Sequence, residues 1–279
     1  MKVLKGKELS DKIIDEFKNK IKPEEKPCMA TIRVGEDKGA ISYEKSIKDK
    51  AKKANIDIYK LVLDQDVRQE EVIEIIEKLN RDSAINGILV FRPLPPNLNE
   101  EKICNSIEPK KDIDGANTQS LHNLMVKNTY RNVPATALAI KSFIEDRMDI
   151  KGKNILIINR SLVIGKPLGL LLLNDDATVT MAHSKSKNIE SILQDKDVII
   201  SAVGQANIFK FENLKPACTI IDMGLSYKDG KYFGDLDESS LENQDVFYVP
   251  SIGGIGGVTT SIILRQTYEN YIDQEEDYE

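Results

Sequence analysis

Apolar positions along the chain follow two rhythms, one of about 3.6 residues and one of short unbroken runs. Leu9, Ile13, Ile14, Phe17 and Ile21 recur among charges, which predicts an amphipathic helix over residues 1–22, stopped by Pro23 and Pro27. The run Met29 to Val34, closed by Gly35 and a polar turn, predicts a strand. Then follow a lysine-rich helix over 41–55, a strand over 56–63, a helix over 67–81 and a strand over 87–91. The rigid Arg92-Pro93-Leu94-Pro95-Pro96 comes next, with a short helix over 100–107 behind it. Residues 116–134 carry no strong period and read as a loop crossing between domains. Beyond them the pattern predicts a helix over 135–148 and strands over 155–158, 178–182, 198–202, 219–223 and 247–249. Helices fall near 165–173 and 189–193, and a closing helix over 258–271 follows a glycine cluster at 252–257. The acidic end, 273–279, reads as frayed. Strands alternating with helices at this spacing imply parallel sheets and an α/β fold of two domains. The first spans 1–134, with 258–279 returning to it. The second, 135–257, has the Rossmann-like order of a dinucleotide-binding domain.

The stretch Asn154 to Leu173 shows why. Ile155 to Ile158 is a wholly apolar strand, Asn159-Arg160-Ser161 a polar turn, and Gly165 and Pro167 open an apolar helix. Free N–H groups at such a turn, together with the helix dipole, favour a phosphate. Asn159 and Ser161 stand where the first two glycines of G-x-G-x-x-G would be, so a plain strand–helix unit without ligand is the competing reading. After the next strand, Ala182-His183-Ser184-Lys185-Ser186-Lys187 offers hydroxyls and cations where an NAD site usually places an acid. With Arg160 nearby, that set favours the 2′-phosphate of NADP, with NAD as the alternative.

Composition narrows the partners. Lys and Arg total 39 and Asp and Glu 45, a net charge of −6, which speaks against a nucleic-acid or anionic-membrane partner. Three scattered cysteines fit reduced thiols in the cytoplasm, and no apolar run resembles a signal peptide or a membrane span. Two histidines outside any ligand spacing give no support to a metal site or a serine–histidine hydrolase. Proton transfer then falls to Lys, Asp or Tyr. Tyr43 and Lys48 follow the first strand of the first domain, where α/β sites form, although lysines on such helices are mostly solvated surface. Asp112 and Asp114 beside Gly115 suit either a site or a polar turn.

Taken in order, RVGEDKGAISYEKSIKDK, GILVFRPLPP, PKKDIDG, VPAT, NRSLVIGKPLGLLLL, ATVTMAHSKS, SAVGQA, IIDMGL and PSIGGIGGVTT resemble the methylenetetrahydrofolate dehydrogenase/methenyltetrahydrofolate cyclohydrolase family of the FolD type. The resemblance implies a homodimer whose protomers each have two domains flanking a cleft. It implies oxidation of 5,10-methylenetetrahydrofolate by NADP, and hydrolysis of the methenyl product to 10-formyltetrahydrofolate. By position, Tyr43 resembles the tyrosine packed on folate, Lys48 the catalytic lysine and Asp114 the carboxylate anchoring the pterin. Phe91, Pro93 and Leu94 fall on the substrate side, as does the backbone of Gly253, Gly254 and Gly257. Cofactor contacts are implied for Thr136, Asn159, Arg160, Ser161, Gly165 and Pro167. Further along they are implied for His183, Ser184, Val203, Gly204 and Gly224.

The chain departs from the family pattern twice. Tyr43 and Lys48 are five residues apart where the family has four, with Ile47 at the expected lysine position, so either the helix begins after Tyr43 or it bulges. Lys45 and Lys50 are the alternative lysines. Phe91 stands where the family has a glutamine beside that lysine, and phenylalanine cannot orient water. Both departures resemble a variant subgroup of the family. Asn159 for glycine and Ile252 for proline are smaller changes. Three other readings stay open: a dehydrogenase whose cyclohydrolase is lost, a dehydrogenase of another small substrate, and a non-catalytic nucleotide-binding protein.

Overall fold

The computed structural model describes residues 1–22, 24–126, 131–228 and 230–276. Its elements run in the order β1 (Lys2–Val3), α1 (Lys7–Lys18), β2 (Cys28–Val34), α2 (Lys38–Ala54), β3 (Asp57–Leu63), α3 (Gln69–Arg81) and β4 (Gly87–Val90). They continue with α4 (Glu100–Asn105), α5 (Thr118–Met125), α6 (Ala135–Glu145), β5 (Asn154–Ile158), α7 (Gly165–Asn174), β6 (Thr178–Ala182) and α8 (Ile189–Leu193). Last come β7 (Val198–Ser201), β8 (Cys218–Asp222), β9 (Ser226–Lys228), β10 (Lys231–Phe233), β11 (Val246–Val249) and α9 (Gly256–Glu276).

The chain divides into two compact units, one of Met1–Ser10 with Thr136–Thr259, the other of Asp11–Ala135 with the stretch from Thr260. The first unit holds a six-stranded sheet in the order β1-β11-β8-β7-β5-β6, with every pairing parallel. Its central strands β7 and β8 are buried along their whole length, which is why they read as unbroken apolar runs. The second unit holds a three-stranded parallel sheet, β3-β2-β4. On one face, Ala30, Ile32, Val34, Ile88 and Val90 pack with Val72, Ile76 and Leu79 of α3 and Ile103 of α4.

Several elements differ from the pattern's prediction. The predicted helix over 1–22 is shortened to α1, because Lys2 and Val3 pair with β11 as an edge strand too short to carry a period. Tyr43 lies well inside α2, which starts at Lys38 because Asp37 caps it through Ala40 N at 2.8 Å. The stretch read as loop contains α5, whose N-cap Asn117 accepts from Gln119 N at 2.8 Å. Residues 127–130 of that same stretch lie outside the described residues, as do 277–279 of the end read as frayed. The closing helix begins two residues earlier than expected and continues to Glu276. An antiparallel pair, β9 with β10, joins the first unit unannounced; its strands are short and expose Tyr227 and Tyr232.

Candidate active site

In the second unit, four segments meet around Tyr43. Its ring stands edge-on to Phe91, with centroids 5.9 Å apart and planes at 85°. Its hydroxyl shares a hydrogen bond with Thr260, and burial, helped by the charge of Asp114, pushes its pKa well up. Phe91 leaves β4 buried, its N–H held by Ile32 O at 2.9 Å. Arg92 beside it donates from Nη2 to Asp114 Oδ2. Leu94 packs on the sheet's apolar cluster and donates its N–H to Glu100 at 3.2 Å, while Pro93 is exposed.

The turn that carries Asp114 is fixed from below. Gly115 has φ +62° and lies so close to Val133 and Pro134 that a Cβ would stand 2.2 Å from Pro134 N. Only glycine fits there. Asp112 is not part of the site: wholly buried, it accepts from Ala116 N, Asn117 N and the Ser120 hydroxyl at 2.8–3.1 Å and holds the turn together. Burial pushes its pKa up to about 6.

Lys48 is not brought to this cluster. Helix α2 is regular from Lys38 to Ala54, with neither a late start nor a bulge, so five residues turn Lys48 about 140° from Tyr43 and leave it exposed. Lys45 is exposed too. Ile47, wholly buried, takes the position one turn from Tyr43. Lys50, seven residues on, shares the Tyr43 face, is half-buried and donates to Ser261 Oγ at 3.4 Å.

In the first unit, the expected cradle of free N–H groups is not formed, because Asn159 fills it. Its Oδ1 accepts from Ser161 N at 2.7 Å and Gly165 N at 3.0 Å, and its Nδ2 donates to Ala202 O at 2.6 Å. Ser161 itself accepts at Oγ from Ile164 N and at its carbonyl from Lys166 N. Pro167 is buried in the first turn of α7, and Gly165 is too close to Asn159 O for a side chain, at 2.4 Å from a Cβ. What reaches solvent is side chain. Ile158 pairs with Ala182, so Arg160 and Ser184, each two residues further on and exposed, leave the same edge of the sheet. His183 stabilises its own turn: its N–H donates to Ser186 Oγ and its Nδ1 accepts from Lys185 N.

The loop after β7 carries Val203 and Gly204 and is held by Asp235, which no motif had singled out. Its carboxylate accepts from Ser201 Oγ, Val203 N, Gly204 N and Gln205 N, at 2.6–2.9 Å. Gly204 has φ +77° and open space where a Cβ would be. Gly224 contacts this lock, since a Cβ there would stand 2.0 Å from Asp235 Oδ1. The glycine cluster is also a matter of close packing: Gly254 carbonyl lies 2.1 Å from where a Gly6 Cβ would be, and Gly253 O accepts from Gly6 N. Gly257 O accepts from Ser10 Oγ at 3.1 Å, and Thr136, half-buried, lies in the first turn of α6.

Residues 4–114 match the tetrahydrofolate dehydrogenase/cyclohydrolase catalytic domain, and residues 134–275 match the NAD(P)-binding domain of the same family. The chain belongs to the tetrahydrofolate dehydrogenase/cyclohydrolase family. The bifunctional protein FolD of Clostridium tetani is 37% identical over 95% of this chain and 97% of its own length. A solved structure of the bifunctional FolD enzyme of Campylobacter jejuni superposes with a TM-score of 0.90 at 30% identity, covering 98% of this chain and 99% of that one. A Trypanosoma brucei FolD structure, complexed with NADP and an inhibitor, has a TM-score of 0.90 at 26% identity over 97% of both chains.

For a member of this dehydrogenase/cyclohydrolase family the donor set fits a phosphorylated dinucleotide. Arg160, Lys185 and Lys187 supply charge and Ser161 and Ser184 hydroxyls, while the loop 203–205 presents pre-set backbone. Thr260, Lys50, Arg92, Glu100 and Asp235 are the residues that sequence reading left out or ranked low. Lys50, Arg92 and Thr260 lie inside the quoted motifs at positions no motif assigns a role, and Glu100 lies in a charged stretch. Asp235, in Gly234-Asp235, has a spacing shared by any polar turn.

Proposed function

We propose that the protein oxidises 5,10-methylenetetrahydrofolate with NADP and hydrolyses the methenyl product to 10-formyltetrahydrofolate. One observation carries this: both domains of the family are present in order, and a bifunctional relative matches over nearly the whole length of both chains. Bound NADP supplies the hydride acceptor. The protein's task is to hold two rings at short distance and keep water out, which asks for positioning more than for reactive side chains. In this reading the Tyr43 ring, braced by Phe91, packs on the folate and Asp114 anchors the pterin. Arg160, Ser161 and Ser184 take the cofactor's phosphate, and the loop at Val203 and Gly204 receives the nicotinamide end. Lys50 rather than Lys48 is the lysine placed to assist hydrolysis, since it shares the face of Tyr43.

A second reading is supported by Ile47 and Phe91. Both are buried apolar side chains at the positions where the family pattern has the catalytic lysine and its glutamine, as expected of a dehydrogenase whose cyclohydrolase has been lost. A paired assay separates the readings: NADP reduction with 5,10-methylenetetrahydrofolate, and decay of methenyltetrahydrofolate above its uncatalysed rate. Both activities establish the first reading, reduction alone establishes the second, and neither refutes both. A cytoplasmic homodimer goes with either reading; sedimentation of the purified protein as a monomer overturns that part.

A further inference from the structure

Arg92 is a cation held in the Tyr43 cluster by hydrogen bonding to a carboxylate, and its motif gave it no role. It follows β4 directly, and its side chain is 17% exposed, as enclosed as that of Asp114 at 18%. Nη2 donates to Asp114 Oδ2, and Nη1 lies 3.9 Å from Glu100 Oε1, whose other oxygen accepts from Leu94 N. Among the described residues, Asp114 Oδ1 receives no hydrogen bond. The carboxylate is thus gripped by one oxygen with the other left over. An enclosed carboxyl without a cation tends to take up a proton and stop accepting. A substrate ring that offers N–H donors needs the opposite, an ionised acceptor already in position.

We propose that Arg92 is a positioning residue for substrate binding, gripping Asp114 through Oδ2 so that the ionised carboxylate presents Oδ1 to the pterin. This rests on the folate reading above. The charged and titratable groups facing Asp114 are Arg92, Glu100 and Cys104 of α4, Asp112 of its own turn, and Tyr43 of α2. Burial is the largest influence on Asp114 and pushes its pKa up; Arg92 draws it down and Glu100 pushes it up further. Tyr43 and Cys104, the latter raised to about 12, do not titrate near neutrality. Asp112 is raised to about 6 by burial and by the charge of Asp114, against the hydrogen bonds from Asn117, Ala116 and Ser120. Arg92 and Glu100 act on Asp114 in opposite directions, so variants at the two positions shift its ionisation oppositely.

The test is the pH profile of kcat/KM for NADP reduction by the full chain, with 5,10-methylenetetrahydrofolate, for the wild type and R92L, R92K and E100Q. NADP affinity and melting temperature serve as controls of folding. Ionised Asp114 is the binding form, so activity falls as pH drops through its pKa. R92L removes a lowering influence and should move the acid limb up by about 1 pH unit or more. KM at neutral pH should rise about tenfold, with kcat little changed. R92K should restore most of the KM, and E100Q should move the limb the other way. An R92L enzyme with unchanged KM and limb overturns the proposal. So do equal losses in R92L and R92K without a shift of the limb. Should R92L fail to fold, E100Q decides alone: an unmoved or upward-moved limb overturns the proposal. A wild type that reduces no NADP with this substrate fails the folate reading itself, and the proposal with it, before any variant is compared.

Discussion

A single residue of register in α2 decides which lysine shares the face of Tyr43. Tyr43, Ile47 and Lys50 lie along one face, at helical spacings of four and seven, and Lys48 lies off it. The expected change is therefore asymmetric. Where cyclohydrolase activity is present, Lys50→Met should lower it by about 100-fold or more, the usual worth of a positioned proton-transfer group, while Lys48→Met stays within about threefold. Methenyltetrahydrofolate decay in the two variants checks this, and a larger loss in Lys48→Met would reverse the assignment. Tyr43, Phe91 and Asp114 were legible because their motifs name positions, and the structure brings the three together. Lys48 was matched by residue type, and the register of α2 turns it away from Tyr43. Arg92 was illegible for another reason: a motif is read by what a family shares, and nothing in GILVFRPLPP says that its arginine turns back on the aspartate of PKKDIDG.

At the scale of elements, two carboxylates build the far end of the larger sheet. Asp222, at the end of β8, accepts from Gly224 N, Asp235 N and Leu236 N at 2.9–3.0 Å. Asp235 in turn holds the loop after β7. Glycines at 224 and 234 let the two approach, since a Cβ at Gly234 would stand 2.1 Å from Asp222 Oδ2. Gly224→Ala should cost about 1–3 kcal/mol by overpacking and loosen the loop it presses on. Thermal unfolding gives the first quantity, and titration with NADP should show the second as weaker binding. Intact NADP affinity in a folded Gly224→Ala protein would disconnect the lock from the cofactor. The buried strands were easy to read because burial on both faces leaves no polar alternation to confuse the period. The phosphate turn was half legible. Strand, turn and helix are where the pattern put them, yet Asn159 does with a side chain what glycines would leave to a ligand, and only its hydrogen bonds show that.

At the scale of the whole chain, neither unit is continuous in sequence. Lys2 pairs with Phe247 in one. In the other, α9 reaches back: Gln266 Nε2 donates to Ile113 O at 2.6 Å and its Oε1 accepts from Val133 N at 3.1 Å, while Asn270 donates to Asn86 O. Gln266 is thereby stitched to the turn that carries Asp114. Gln266→Leu keeps the volume but leaves a buried carbonyl and N–H without partners, a loss of about 2–4 kcal/mol. Urea unfolding measures the loss, and KM for folate should rise with it. An unchanged KM would show that the turn holds without α9. The return of the closing helix was legible from the glycines before it, whereas β1 was not, since two residues carry no pattern.

The same interleaving governs how the protein is born. While the ribosome is still adding residues 136–255, the smaller sheet is already made of emerged chain but lacks the helix that ties its turns. The larger sheet cannot acquire its N-terminal edge until β11 has been synthesised, almost at the end. Closing such distant partners is entropically slow. Through that interval the larger sheet stays unfinished, with edges open to other strands, the condition in which a nascent chain is most exposed to aggregation.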